Sequence, residues 1–217
     1  MKGRGMKRVN MFNVQCSTNG LCREAGKEMF NVQWSKFNCL IVLCLLLSCG
    51  ETQYEYSSRR SNLVLDNAVH QDPTLASAMT PYSGVFVAIT LKDKGGAQYF
   101  QFTSNQGQTT ESIFNAIDQR RTIRLGMNEG LIVGYTTWND LTFYAYDREC
   151  PNCFNPDAIP VRSKALQMSS TGIATCSSCH RKYDMNSGGI IVEGDKGDKL
   201  VRYRAGTTGP FGVLNVN

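Results

Sequence analysis

Cys176–Gly189 reads CSSCHRKYDMNSGG: two cysteines two residues apart, a histidine beside them, then an aromatic residue, an aspartate and a pair of glycines. A Cys-x-x-Cys turn sets two sulfurs on one side of a tight loop, which is half of a tetrahedral metal site. The other half lies upstream, where Cys150-Pro-Asn-Cys153 has the same spacing, with 22 residues between the two knuckles. Cys150, Cys153, Cys176 and Cys179 are therefore the candidate metal ligands, because the paired pattern is far more specific than either knuckle alone.

The flanks of the knuckles alternate with a period of two. Gly84–Leu91 (GVFVAITL) and Ala97–Phe102 (AQYFQF) bracket the turn Lys92–Gly96, and Leu131–Tyr135 and Leu141–Tyr146 bracket Thr136–Asp140. Beta-rich runs around polar or glycine turns read as antiparallel hairpins. Beyond the second knuckle, Gly189–Gly194, Lys199–Arg204 and Phe211–Val216 read as three further short strands. One short helix is expected over Ser112–Gln119, where Ile113, Phe114 and Ile117 share a face. Without a long amphipathic helix or a βαβ rhythm, the fold class is all-β, built from antiparallel sheets.

In order, the chain offers a hairpin ending in DRECP, a loop, Cys-x-x-Cys-x-x-x-Tyr-Asp with two glycines, a strand, and LVRYR. Over about Gly126 to Val216 this resembles the Rieske iron–sulfur domain, whose loops carry Cys-x-His and Cys-x-x-His-Gly-x-x-Phe-Asp. The family's aromatic residue stands four places after its second-loop histidine, and Tyr183 stands four after Cys179. The resemblance thus implies that Cys176 and Cys179 take the two ligand positions of the second loop and that His180 takes the glycine position. Cys150 matches the first-loop cysteine, and Cys153 stands one residue beyond the first-loop histidine. The chain is similar to a bacterial lipoprotein relative of that family with cysteines in place of the histidine ligands. The implied fold is a Rieske-like β domain with a two-knuckle metal-binding subdomain at about residues 145–190. Tyr183 and Asp184 are expected to pack and cap the second loop.

A Rieske cluster owes its raised potential to two imidazoles on one iron. His70 and His180 are the only histidines, and neither falls in a ligand slot, so that chemistry is not carried over intact. Four thiolates suit zinc as a structural clamp or an all-cysteine [2Fe-2S] cluster passing electrons to an envelope partner. In an oxidising compartment they could instead form two disulfides and leave the site empty. A redox-active Cys-x-x-Cys is disfavoured, because neither pair precedes a helical pattern that would depress a thiolate pKa.

The first 48 residues read as a targeting region. Cys39–Leu47 (CLIVLCLLL) is nine apolar residues long, far short of the roughly 20 that span a bilayer, and reads as the apolar part of a secretion signal. It ends in Leu46-Leu47-Ser48-Cys49, which resembles a bacterial lipobox and makes Cys49 the candidate lipid attachment site. Met11–Gln15 and Met29–Gln33 repeat MFNVQ, and a start at Met29 would give a signal of ordinary length. The expected organisation is a leader and signal peptide over 1–48, a tether over 49–62, and the β domain over 63–217. Localisation follows as a lipid-anchored protein of the bacterial cell envelope, facing the periplasm or the surface.

Seven of the 23 basic residues and two of the 18 acidic ones precede Cys49, which leaves the mature chain with 16 of each. The basic balance belongs to the leader, and nucleic-acid binding has no footprint in the domain. His70 is expected in a polar loop and His180 in an exposed one. No phosphate loop, nucleophile with a base, or supported carboxylate pair is visible, so no enzyme active site is indicated. The function read from the sequence is a metal-binding lipoprotein, with structural zinc in a binding or scaffolding module, or else electron transfer.

Overall fold

The computed structural model describes residues 54–137 and 141–217, which fall in a compact unit spanning Gln53–Asn217. The leader, the signal sequence and Cys49 lie outside the described residues.

The unit is mainly antiparallel β. A central sheet holds β2 (Phe86–Lys94), β3 (Ala97–Ser104), β4 (Thr109–Ile113), β5 (Gly130–Tyr135), β6 (Phe143–Asp147) and β11 (Arg202–Tyr203), in the order β11-β6-β5-β2-β3-β4. The β2–β3 turn is the two-residue Gly95-Gly96, with φ 61° and 79°, the conformation that matches the twist of a tight hairpin. It fixes the register Lys94↔Ala97 through Val87↔Ser104.

The middle of the central sheet, β5, β6 and the first half of β2, is buried on both faces, whereas β4 and the end of β2 are exposed. Side chains alternate along β2: Val87 and Ile89 join one core with Leu131, Val133, Phe100 and Phe102. Phe86 and Ala88 join the other with Ile132, Tyr144 and Tyr146. Over the first face lies a three-stranded sheet of β1 (Leu63–Asp66), β13 (Val213–Val216) and β12 (Ala205–Thr207), with two short helices, α1 (Asn67–His70) and α2 (Pro73–Ala78). Asp72 caps α2 by accepting from the Leu75 N–H at 2.8 Å, with Pro73 at the first helical position. Over the second face lies the ligand-bearing sheet, β10-β9-β8-β7, built from β7 (Leu166–Met168), β8 (Ile173–Cys176), β9 (Lys182–Asp184) and β10 (Ile190–Glu193).

The helix expected over Ser112–Gln119 is replaced by the end of β4 and a 3₁₀ turn at Asp118–Arg120. Pairing and local capping win over the helical spacing. Phe114 donates to Gln98 O at 2.9 Å, while the Asn115 carboxamide oxygen accepts from the Ile117 and Asp118 N–H groups. Ile113 and Ile117 are left exposed.

Residues 54–62 run along the domain. Ser57 N–H donates to Arg202 O at 2.8 Å, Glu55 pairs with Arg202 at 3.0 Å, and Asn62 bridges to Arg124.

Candidate metal centre

The first knuckle leaves the end of β6. Glu149, buried, accepts from Asn128 Nδ2 at 2.7 Å, from the Ser163 hydroxyl at 2.6 Å and from the Lys164 N–H. Cys150 N–H donates to Lys164 O at 3.0 Å, so the strand entering the knuckle is tied to the strand leaving it. The turn then closes on itself, with the N–H groups of Cys153 and Phe154 directed to Cys150 O. The second knuckle joins β8 to β9: Cys176 N–H donates to Arg181 O at 3.1 Å, and His180 N–H donates to Cys176 O at 2.9 Å. His180 closes that turn at φ 59°, the left-handed region that glycine enters without cost.

The two turns face each other. The four Sγ atoms lie within 4.8 Å of one another, and those of Cys150 and Cys179, from different knuckles, are 3.8 Å apart. All four cysteines are free; Cys150 and Cys176 are buried, whereas Cys153 and Cys179 are partly exposed. The cluster is thus the outer rim of the second core, in which Cys150 and Cys176 pack with Tyr183, Met185 and Leu200.

Tyr183, fully buried on β9, places its hydroxyl 3.4 Å from Cys150 Sγ and accepts from Asn152 Nδ2 at 2.9 Å. Asn152 also holds the loop after β10, donating to Asp198 O at 2.8 Å and accepting from the Asp198 N–H at 2.9 Å. The Arg181 guanidinium reaches the same loop at Asp195 O and Lys196 O. Asp184 caps the 3₁₀ turn that follows, accepting from the Asn186 N–H and the Ser187 hydroxyl. The expectation that Tyr183 and Asp184 pack and cap the second loop is thus met differently: Tyr183 bonds to the first knuckle, and Asp184 caps the turn beyond β9. Gly189, at φ 76°, lets that loop approach Leu200 and Tyr146 more closely than a β-carbon allows.

Electrostatics divides the thiols. Burial pushes the Cys150 thiol up, and burial followed by the neighbouring Cys179 thiol does the same to Cys153. Burial also opposes ionisation of Cys179, but the Arg181 N–H and guanidinium and the adjoining thiols outweigh it and bring this group down to about 6. Such crowding lets one thiolate form readily and resists the next, unless a cation shares the site. A four-cysteine cluster of this kind could hold a metal ion.

All four sequence-predicted ligands are brought together. His180 lies on the exposed outer side of its turn. His70 departs from the loop expectation: it belongs to α1, and its side chain is 2% exposed, with Nε2 3.1 Å from Asp118 Oδ2. Its Nδ1 is 2.7 Å from Ser112 Oγ, and the ring meets Phe100 edge-on. That network lies around the first core and ties α1 to β4. Asn152, Arg181 and the Asp195–Asp198 segment were not legible as parts of the site; the asparagine within Cys-Pro-Asn-Cys was the only available signal.

No family model, curated protein or solved structure matches this chain.

Proposed function

We propose that Cys150, Cys153, Cys176 and Cys179 hold one zinc ion that clamps the two loops of a Rieske-like β domain, and that the domain is a binding or scaffolding module of an exported lipoprotein. The observation that carries this reading is the sulfur geometry. A zinc–sulfur bond of about 2.3 Å sets the edges of a tetrahedral site at about 3.8 Å, and Cys150 and Cys179 sit at 3.8 Å. In a two-iron cluster the ligands divide between two metals, and thiolates on different irons stand further apart than those sharing one. The Rieske pattern puts Cys150 and Cys179 in loop positions that belong to different irons, and a separation of 3.8 Å suits a shared ion better.

The Rieske resemblance draws support from an inserted sheet whose β8–β9 turn converges with the knuckle that follows β6. Lipid attachment at Cys49, with residence in the cell envelope and the membrane as first partner, rests on the LLSC sequence. The second reading, a [2Fe-2S] electron carrier with an envelope redox partner, is favoured by the order of the loops and by the partial exposure of Cys153 and Cys179.

Cys176→Ser tests the ligand set. Its thiol is buried, so the variant is expected to lose bound metal on purification while retaining the antiparallel β signature in circular dichroism. Full metal occupancy in the variant would overturn the assignment.

A further inference from the structure

We propose that the face built from residues 54–61 and the β11–β12 corner rests on anionic phospholipid headgroups. The inference rests on anchoring at Cys49 for its setting, and on the surface itself for its chemistry.

An open cleft of about 350 Å³ lies between Tyr56–Ser61 on one side and Arg204 and Asn217 on the other. Arg59, Arg60 and Arg204 line it and are exposed. No carboxylate of the described residues pairs with any of these three, whereas Arg202 beside them is paired with Glu55. The Arg204 guanidinium lies 4.7 Å from the Tyr56 ring centroid, and Tyr54 is 90% exposed. Guanidinium groups are suited to the fork geometry of phosphate oxygens, and tyrosine is at home where an apolar phase meets water. Because the mature chain carries equal numbers of basic and acidic residues, this face is a local positive field in an otherwise balanced protein.

Chain length places that face. Eight residues lead from Cys49 to Ser57, and Ser57 is bonded to β11. Fully extended they reach at most about 29 Å. A unit of 165 residues has a radius of gyration of about 15 Å and so measures about 40 Å across. A tether shorter than the body it holds cannot let the attachment face turn to the far side, so that face stays on the half of the domain nearer the bilayer. The cleft is part of that face, and anionic headgroups are the ligands that both its charge and its position suit.

The test uses the chain from Gly50, which contains the whole compact unit with both of its cores and has no lipid. It is cosedimented with vesicles of phosphatidylcholine alone or mixed with phosphatidylglycerol. Binding is expected to the anionic vesicles only, and to weaken about tenfold between low and physiological salt. Combining Arg59→Ala, Arg60→Ala and Arg204→Ala is expected to abolish it with melting temperature and metal content unchanged. Combining Lys94→Ala, Arg120→Ala and Arg162→Ala, an equal loss of charge elsewhere, is expected to leave most of it. Absence of binding, equal binding to both vesicles, or equal loss in the two triple variants would overturn the proposal. The mass of the membrane-extracted protein reports separately on anchoring: an unmodified Cys49 would remove the tether and leave the vesicle result standing.

Discussion

His180 holds the second knuckle closed in a conformation that L-residues avoid. At φ 59° it carries a β-carbon where glycine carries none, at a cost of about 1 kcal/mol. His180→Gly is expected to keep the metal and to melt at the same temperature or slightly higher, since relief of strain offsets the extra flexibility of glycine in the unfolded chain. His180→Val, whose branched side chain fits this region worse, is expected to lose about 1–2 kcal/mol. Thermal unfolding of the metal-loaded proteins checks both, and a valine variant as stable as the glycine one would contradict the account. The exposed loop expected for His180 is observed. His70 was not legible. The surrounding Asp66–Pro73 stretch reads as a loop, and only the fold brings Ser112 and Asp118, 42 and 48 residues away, against its ring.

At the scale of elements, the knuckles are held by a loop that has no ligand of its own. Asn152 clasps Asp198, and a β-carbon on Gly197 would stand 2.3 Å from Asn152 Oδ1. Gly197→Ala is expected to displace the loop and to speed metal release to a chelator. In an Asn152→Ala background the same change should cost much less, since the atom it collides with is gone. A double-mutant cycle on release rates measures this coupling; strictly additive effects would contradict it. The hairpins on either side of Lys92–Gly96 and Thr136–Asp140 were legible from period-two runs and turn residues, and so was the strand at Ile190–Glu193. The strands β7, β8 and β9 were not, because none of them carries an apolar run comparable to Ile190–Val192. The helix expected after Ser112 failed for a related reason: a face shared by three apolar residues is a weak signal beside a sheet edge that can pair with the same segment.

For the whole molecule, acidity should act through Asp147, which is buried between the central sheet and the loop at Met127. Burial raises its pKa from the ordinary 3.8, outweighing the N–H groups of Glu149 and Met127 and the Tyr203 hydroxyl that favour its charged form. The folded state therefore binds this proton more tightly than the unfolded chain does. Its contribution to stability is fully present below 3.8 and is lost as pH rises through the higher native value. Relative to Asp147→Asn, the parent protein should gain stability as pH falls through that window, measured by urea unfolding at several pH values. A constant difference between the two would contradict this.

The fold class and the four-cysteine cluster that could hold a metal ion were legible in the sequence because both are local patterns, alternation and knuckle spacing. Which ion would suit the cluster was not, since that depends on how two turns 22 residues apart converge. The most direct measurement is therefore elemental analysis with a visible spectrum and zinc-edge X-ray absorption, on the chain from Gly50 purified without oxygen. The account predicts one zinc per chain, no visible colour, and four sulfur neighbours at about 2.3 Å. Two irons with acid-labile sulfide, one iron with visible absorption, or no metal and no free thiols would contradict it.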